Sequence, residues 1–223
     1  MNDKEVLWSK IVSDVSRCSK CSLHKYRTKP VPGEGPLNSK LLLIGEAPGQ
    51  REDEEGRPFV GSAGKLLTEL LEVRGIKRSE VFITNVVRCR PPNNREPTDD
   101  EILACSEYTI SIIKLVTPKI LVTLGNHAGK FIFGLAGIKW VGVSRMRGRW
   151  FKVDLLGLKD VYIFPTYHPA TALYNPNVKS VLDSDFNTIK ELYLGITKGL
   201  GGRKTTTLLD FMGGGSHQRE IQL

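Results

Sequence analysis

The sequence predicts an α/β fold: three layers, α/β/α, around a central, mainly parallel, four-stranded sheet. Three observations lead there. Apolar runs at residues 40–44, 81–87, 119–124 and 161–165 are nearly continuous, as in strands buried on both faces, and lack the alternation of a half-solvated strand. Stretches of helical periodicity separate these runs. Alternation of strand and helix calls for right-handed crossovers, which make neighbouring strands parallel and put helices on both faces.

Taken in order, Val6, Leu7, Ile11, Val12 and Val15 recur at helical spacing and predict a short N-terminal helix over 5–15. It leads into Cys18-Ser-Lys-Cys21. Residues 24–38, basic and rich in Pro and Gly, read as an extended loop. A helix over 61–73 carries the stripe Leu66, Leu67, Leu70 and Leu71. The next helix starts at Thr98, where Thr98-Asp-Asp-Glu101 forms a capping box after Pro97, and ends near Val116, ahead of Pro118. A short helix over 128–133 and a longer one over 178–194 complete the set. Residues 141–155 read as an antiparallel hairpin before the last core strand. From residue 198 the chain turns Gly- and Thr-rich, so residues 1–197 form one domain and 198–223 a flexible tail.

With 40% hydrophobic and 25% charged residues, the 223-residue chain has the composition of a globular protein able to bury a core. No run approaches the ~20 apolar residues of a membrane span, and the start has no apolar signal core, so an intracellular protein without membrane contact is expected. A monomer is the default. The net charge of +8 favours a polyanion such as nucleic acid, or marks a generally basic protein. The four cysteines, one Cys-x-x-Cys pair plus Cys89 and Cys105, suggest a four-thiolate metal site rather than disulfides in a reducing compartment. Thiolate chemistry alone suits zinc and iron–sulfur equally.

Each predicted strand runs into an unusual polar loop, where open parallel sheets place their sites. The first gives Gly45-Glu46-Ala47-Pro48-Gly49, then Glu52 and Gly56-Arg57-Pro58-Phe59-Val60-Gly61. The second ends in Thr84-Asn85-Val86-Val87-Arg88-Cys89, and the fourth in Tyr167-His168-Pro169-Ala170. Singly, each residue has a plain structural reading: Phe59 as core, Asn85 as a cap, His168 bonded to a carbonyl, Glu46 and Glu52 on a solvated acidic face. The run Gly61-Ser-Ala-Gly64-Lys65 is no phosphate loop, because Phe59 and Leu66 stand where glycine and a magnesium-binding hydroxyl belong. No nucleotide cofactor is expected.

GEAPG…GRPFVG, TNVVRC and HPA, in this order and with these cysteines, resemble the family 4 uracil-DNA glycosylases over residues 18–194. The resemblance implies a monofunctional DNA glycosylase of base excision repair. Such an enzyme flips uracil from DNA and hydrolyses its N-glycosidic bond, leaving an abasic site. It implies that Cys18, Cys21, Cys89 and Cys105 ligate a [4Fe–4S] cluster that staples the N-terminal arm to the sheet. It also implies that Phe59 stacks on the base and that Asn85 reads its edge through one acceptor and one donor. His168 then bonds O2 as charge gathers there, and Glu46 positions water. Ala47 lines the same pocket, at the place where family 1 relatives carry an aspartate. Glu52 falls where the family crowds C5 against thymine, and Leu173 where a wedge enters the minor groove. Tyr174 departs from the arginine usual beside it.

Arg145, Arg147, Arg149 and the segment 25–29 are candidate phosphate contacts or a solvated basic face. His127 is read as a phosphate contact or as structural, and His24 and His217 receive no role. In the tail, Leu208, Phe211 and Met212 resemble a sliding-clamp (PCNA) binding box, or are accidental hydrophobics. The competing functional readings are a noncatalytic iron–sulfur DNA-binding protein and a glycosylase for other deaminated bases.

Overall fold

The computed structural model describes residues 2–197. The tail, with the clamp-box candidates Leu208, Phe211 and Met212, lies outside the described residues. The helices are α1 (Asp3–Arg17), α2 (Gln50–Glu55), α3 (Ser62–Glu72), α4 (Asp99–Val116), α5 (Asn126–Leu135), α6 (Val143–Met146), α7 (Pro169–Ala172) and α8 (Pro176–Thr197). The strands are β1 (Leu41–Gly45), β2 (Phe82–Asn85), β3 (Ile120–Leu124), β4 (Phe151–Leu155) and β5 (Leu158–Thr166).

The sheet has five strands rather than four, in the order β2-β1-β3-β5-β4. β2, β1, β3 and β5 run parallel; β4 lies antiparallel to β5. The hairpin expected within 141–155 is therefore corrected. Its first half forms the short helix α6, and its second half pairs forward with β5 across Leu156 and Gly157. Both turn residues have positive φ, 53° and 86°, and Gly157 adopts that conformation without a Cβ penalty. β4 keeps the alternation of an edge strand, with Phe151 and Leu155 buried and Lys152 exposed.

Each inner strand feeds both cores because successive side chains alternate. Leu42 and Ile44 join Phe82, Leu121 and Ile163 in a cluster completed by Val15 of α1, Ile112 of α4 and Phe133 of α5. Leu41 and Leu43 face the other way, toward Leu67 and Leu71 of α3 and Phe186 of α8. Full burial of each such side chain contributes about 1.5–3 kcal/mol, so the two layers hold the sheet rigid under its loops. The capping box of α4 forms as expected: Thr98 Oγ1 accepts the Glu101 N–H at 3.2 Å, and the Glu101 carboxylate accepts the Thr98 N–H at 2.9 Å.

The loop before β1 lies along the outer edge of β2. The Glu34 and Ile83 backbones exchange hydrogen bonds of 2.9 and 2.8 Å, and the Val31 N–H reaches the Arg88 carbonyl at 2.8 Å. On one face of the sheet α1 packs against α4, with Trp8 edge-on to Phe82 at 5.4 Å. No described helix is long and apolar enough to cross a membrane.

Candidate active site

β1 passes to β2 on one side while β3 passes to β5 on the other, so the sheet changes direction between β1 and β3. A crevice opens at such a point beyond the carboxyl ends of the strands. There lies a cavity of about 350 Å³, lined by Glu46, Ala47, Glu52, Phe59, Asn85 and His168. Four of them come from the segment after β1, Asn85 from the end of β2 and His168 from the segment after β5, and the fold brings the three together. Leu173 is not among the lining residues. It caps the end of α7 and is 42% exposed, beside the fully projecting Tyr174.

Phe59 is held in a left-handed backbone conformation, φ 52°, which is uncommon for any residue but glycine. Its ring faces the His168 imidazole at 5.5 Å with 28° between planes. Glu52 fixes the loop from below: its Oε1 accepts the N–H groups of Val60 and Gly61, each at 2.8 Å. Two glycines give Phe59 room, Gly64 for its backbone and Gly45 for its ring. A Cβ on Gly64 would fall 1.9 Å from the Phe59 carbonyl oxygen, and one on Gly45 would fall 2.6 Å from Phe59 Cζ.

Asn85, at the end of β2, is only 1% exposed, and its Oδ1 has no hydrogen-bond partner. An unsatisfied buried acceptor costs about 1–3 kcal/mol, and here it borders a cavity large enough for a base. His168 accepts the Ala170 N–H on Nδ1 at 3.1 Å. Burial holds the pKa of this ring below the usual histidine value. In the neutral ring the proton therefore sits on Nε2, as a donor.

His127, the second residue of α5, has a structural partner in the site. Its Nδ1–H donates to Glu46 Oε2 at 2.8 Å, with Glu96 3.8 Å from its other nitrogen. The bond to Glu46 raises its pKa, against the opposing effect of burial. Sequence reasoning also missed Pro91, Asn94 and Arg95, which wall the cavity from the loop after β2. Arg95 is locked there by Glu101 at 2.7 and 2.8 Å. Arg95 and the other two lie in a polar loop with no signal of their own.

Cys18, Cys21, Cys89 and Cys105 line one small cavity between α1, the end of β2 and α4, and none forms a disulfide. Burial raises the Cys21 and Cys89 thiols and pushes Cys105 up to about 11. The donor set fits an iron–sulfur cluster: four soft sulfurs about a common space, with cationic groups beside them. Among the described residues no three such donors converge on a single ion. Arg27, within the segment read as phosphate contacts or a solvated basic face, donates to Cys89 Sγ at 3.2 Å and to the Ser16 carbonyl at 2.7 Å. Arg147 is likewise engaged inward, with its Nε 2.9 Å from Asp185 Oδ2.

Fold and site together define an α/β protein with a cavity the size of a planar base at the switch point of its sheet. Residues 32–189 match the family model described as the uracil DNA glycosylase superfamily. A type-4 uracil-DNA glycosylase of Sulfurisphaera tokodaii is 52% identical over 82% of this chain and 83% of its own length. That of Saccharolobus solfataricus is 50% identical over 81% and 84%, and that of Archaeoglobus fulgidus 43% identical over 91% and 97%. The chain belongs to the type-4 uracil-DNA glycosylases of that superfamily. Its reaction is hydrolysis of the N-glycosidic bond that joins uracil to DNA.

Proposed function

We propose a division of labour for uracil excision in which Asn85 reads the base, Phe59 supports it, and His168 and Glu46 act on the two halves of the breaking bond. The observation that carries this reading is the unpartnered Oδ1 of Asn85 in the wall it shares with Phe59 and His168. Uracil offers an N–H donor at N3 and an acceptor at O4, which one amide satisfies; cytosine offers the reverse pattern. The base must leave the stack to reach this cavity. Leu173, exposed at the end of α7, is the side chain to fill the gap it leaves. Glu52 and Ala47 shape the wall, and Glu52 crowds the position where thymine carries its methyl group.

As the C1′–N1 bond breaks, its electron pair leaves with the base and negative charge gathers on O2. The Nε2–H of a neutral His168 stabilises that charge without a prior proton transfer. Water adds to C1′ and passes its proton to the Glu46 carboxylate, which also faces the cationic sugar. His127 holds that carboxylate in place through the 2.8 Å bond. Cys18, Cys21, Cys89 and Cys105 would hold a [4Fe–4S] cluster, which ties α1 to α4 and the end of β2 and supplies no step of hydrolysis. Leu208, Phe211 and Met212 in the tail have the spacing of the apolar anchors of a clamp-docking box.

The test is cleavage of a labelled oligonucleotide carrying one uracil, followed by alkali, with a matched thymine strand and His168→Ala beside it. Scission with uracil alone, and a His168→Ala turnover lower by about two orders of magnitude with DNA still bound, is the expected result. Equal turnover by His168→Ala would remove that residue from the mechanism. No scission by an intact wild-type protein would leave DNA binding without catalysis.

A further inference from the structure

Arg88 carries a fixed positive charge into the core. It is 1% exposed and heads the fully buried side chains in size. Its guanidinium donates to the Asn85 carbonyl and, at 3.0 Å, to Thr109 Oγ1, both neutral, while its Nε has no partner. The other arginines of low exposure stand by carboxylates: Arg74 by Asp183, Arg78 by Glu34 and Arg147 by Asp185. Among the described residues no carboxylate pairs with Arg88, and its side chain shares its cavity with Cys89, Cys105 and Tyr108. That cavity is the one lined by the four cysteines.

A buried cation without a counter-ion is strongly unfavourable, because no water replaces its lost hydration. Four thiols in their neutral form offer it little. Four thiolates around a cluster carry net negative charge against its guanidinium. We propose that Arg88 is a positioning residue whose counter-ion is the metal-loaded cysteine cage. Through its bond to the Asn85 carbonyl, it makes the seat of the base-reading amide depend on the cage being filled. Reader, counter-ion and ligand sit within five residues, at 85, 88 and 89, so a shift at one is carried to the others along one short turn. The inference rests on the four-cysteine reading above.

The experiment compares the protein as purified with Arg88→Lys, which keeps the charge, and Arg88→Met, which keeps most of the bulk. Iron content is measured first, then the rate of iron loss to a chelator at fixed temperature. Arg88→Met is expected to lose iron about tenfold faster or more, in the range for residues that support metal ligands, and Arg88→Lys to stay near wild type. Amide hydrogen exchange at residues 84–88 should rise on iron removal in wild type, and less in Arg88→Met, where no charge is stranded. Equal iron loss from Arg88→Lys and Arg88→Met, or equal exchange responses, would make Arg88 a packing residue and overturn the proposal. Should Arg88→Met fail to fold, Arg88→Gln against Arg88→Lys makes the same comparison. A wild-type protein without iron would overturn the cage reading itself, and the inference with it.

Discussion

Phe59 keeps a left-handed backbone, φ 52°, at a cost of about 1–3 kcal/mol that the surroundings must offset. Glu52 does so by holding the next two N–H groups, and the missing side chains of Gly45 and Gly64 leave Phe59 its place. Gly45→Ala would set a methyl group 2.5 Å from Asn85 Oδ1 and 2.6 Å from the Phe59 ring. Excision by that variant should fall about a hundredfold, as measured on a uracil oligonucleotide, because misplacement near 1 Å costs that much. His127 makes a prediction in pH. Its pKa is raised in the folded state by Glu46, so its contribution is fully present below the unfolded value of about 6.5 and is lost as pH rises through the folded value. Denaturant titrations of wild type and His127→Gln should differ by about 1 kcal/mol at pH 5.5 and converge at alkaline pH; a constant gap would refute the ion-pair contribution. Glu46, Phe59, Asn85 and His168 are legible in the sequence because three ordered motifs carry them. His127 is not, since nothing in Gly-Asn-His-Ala tells that the loops after β1 and β3 meet.

The elements that hold the site are legible to within a few residues where burial is two-sided. β1, β3 and α4 follow directly from apolar runs and a capping box. β4 falls inside the expected hairpin, but its partner escapes for a physical reason: β4 is short, edge-placed and half polar, and it pairs with the strand after it, across a two-residue turn, rather than with residues before it. The basic run 145–149 misleads in the same way. Arg147 looks like a phosphate contact, yet it turns inward to Asp185, which also accepts the Thr166 hydroxyl at 2.6 Å at the end of β5. That carboxylate, 1% exposed, ties α8 to the segment after α6 and to the strand that delivers His168. Asp185→Ala leaves a guanidinium and a buried hydroxyl unmatched and should cost about 3 kcal/mol, read from urea unfolding. A loss below about 0.5 kcal/mol would mean that water replaces the carboxylate at no penalty.

At the scale of the whole molecule, a net charge of +8 draws the protein to DNA whatever the sequence, and the cavity then selects one base. The wedge role proposed for Leu173 would separate these two stages. Leu173→Ala should slow excision from duplex DNA about tenfold while leaving single strands near wild type, because only the duplex has a gap to fill. An equal loss on both substrates would make Leu173 part of the cavity wall instead. Finally, both sides of the sheet are closed to further pairing. Beyond β2 the loop through Pro30, Val31, Pro32 and Glu34 already takes up ladder bonds, and three prolines there, Pro36 among them, lack the N–H to extend it. At the other edge β4 itself is only five residues long, has an irregular register and shows Lys152 outward. Molecules crowded together in the native state therefore have no long template on which to stack strand to strand. Heat-induced clumping must wait until the domain itself comes apart.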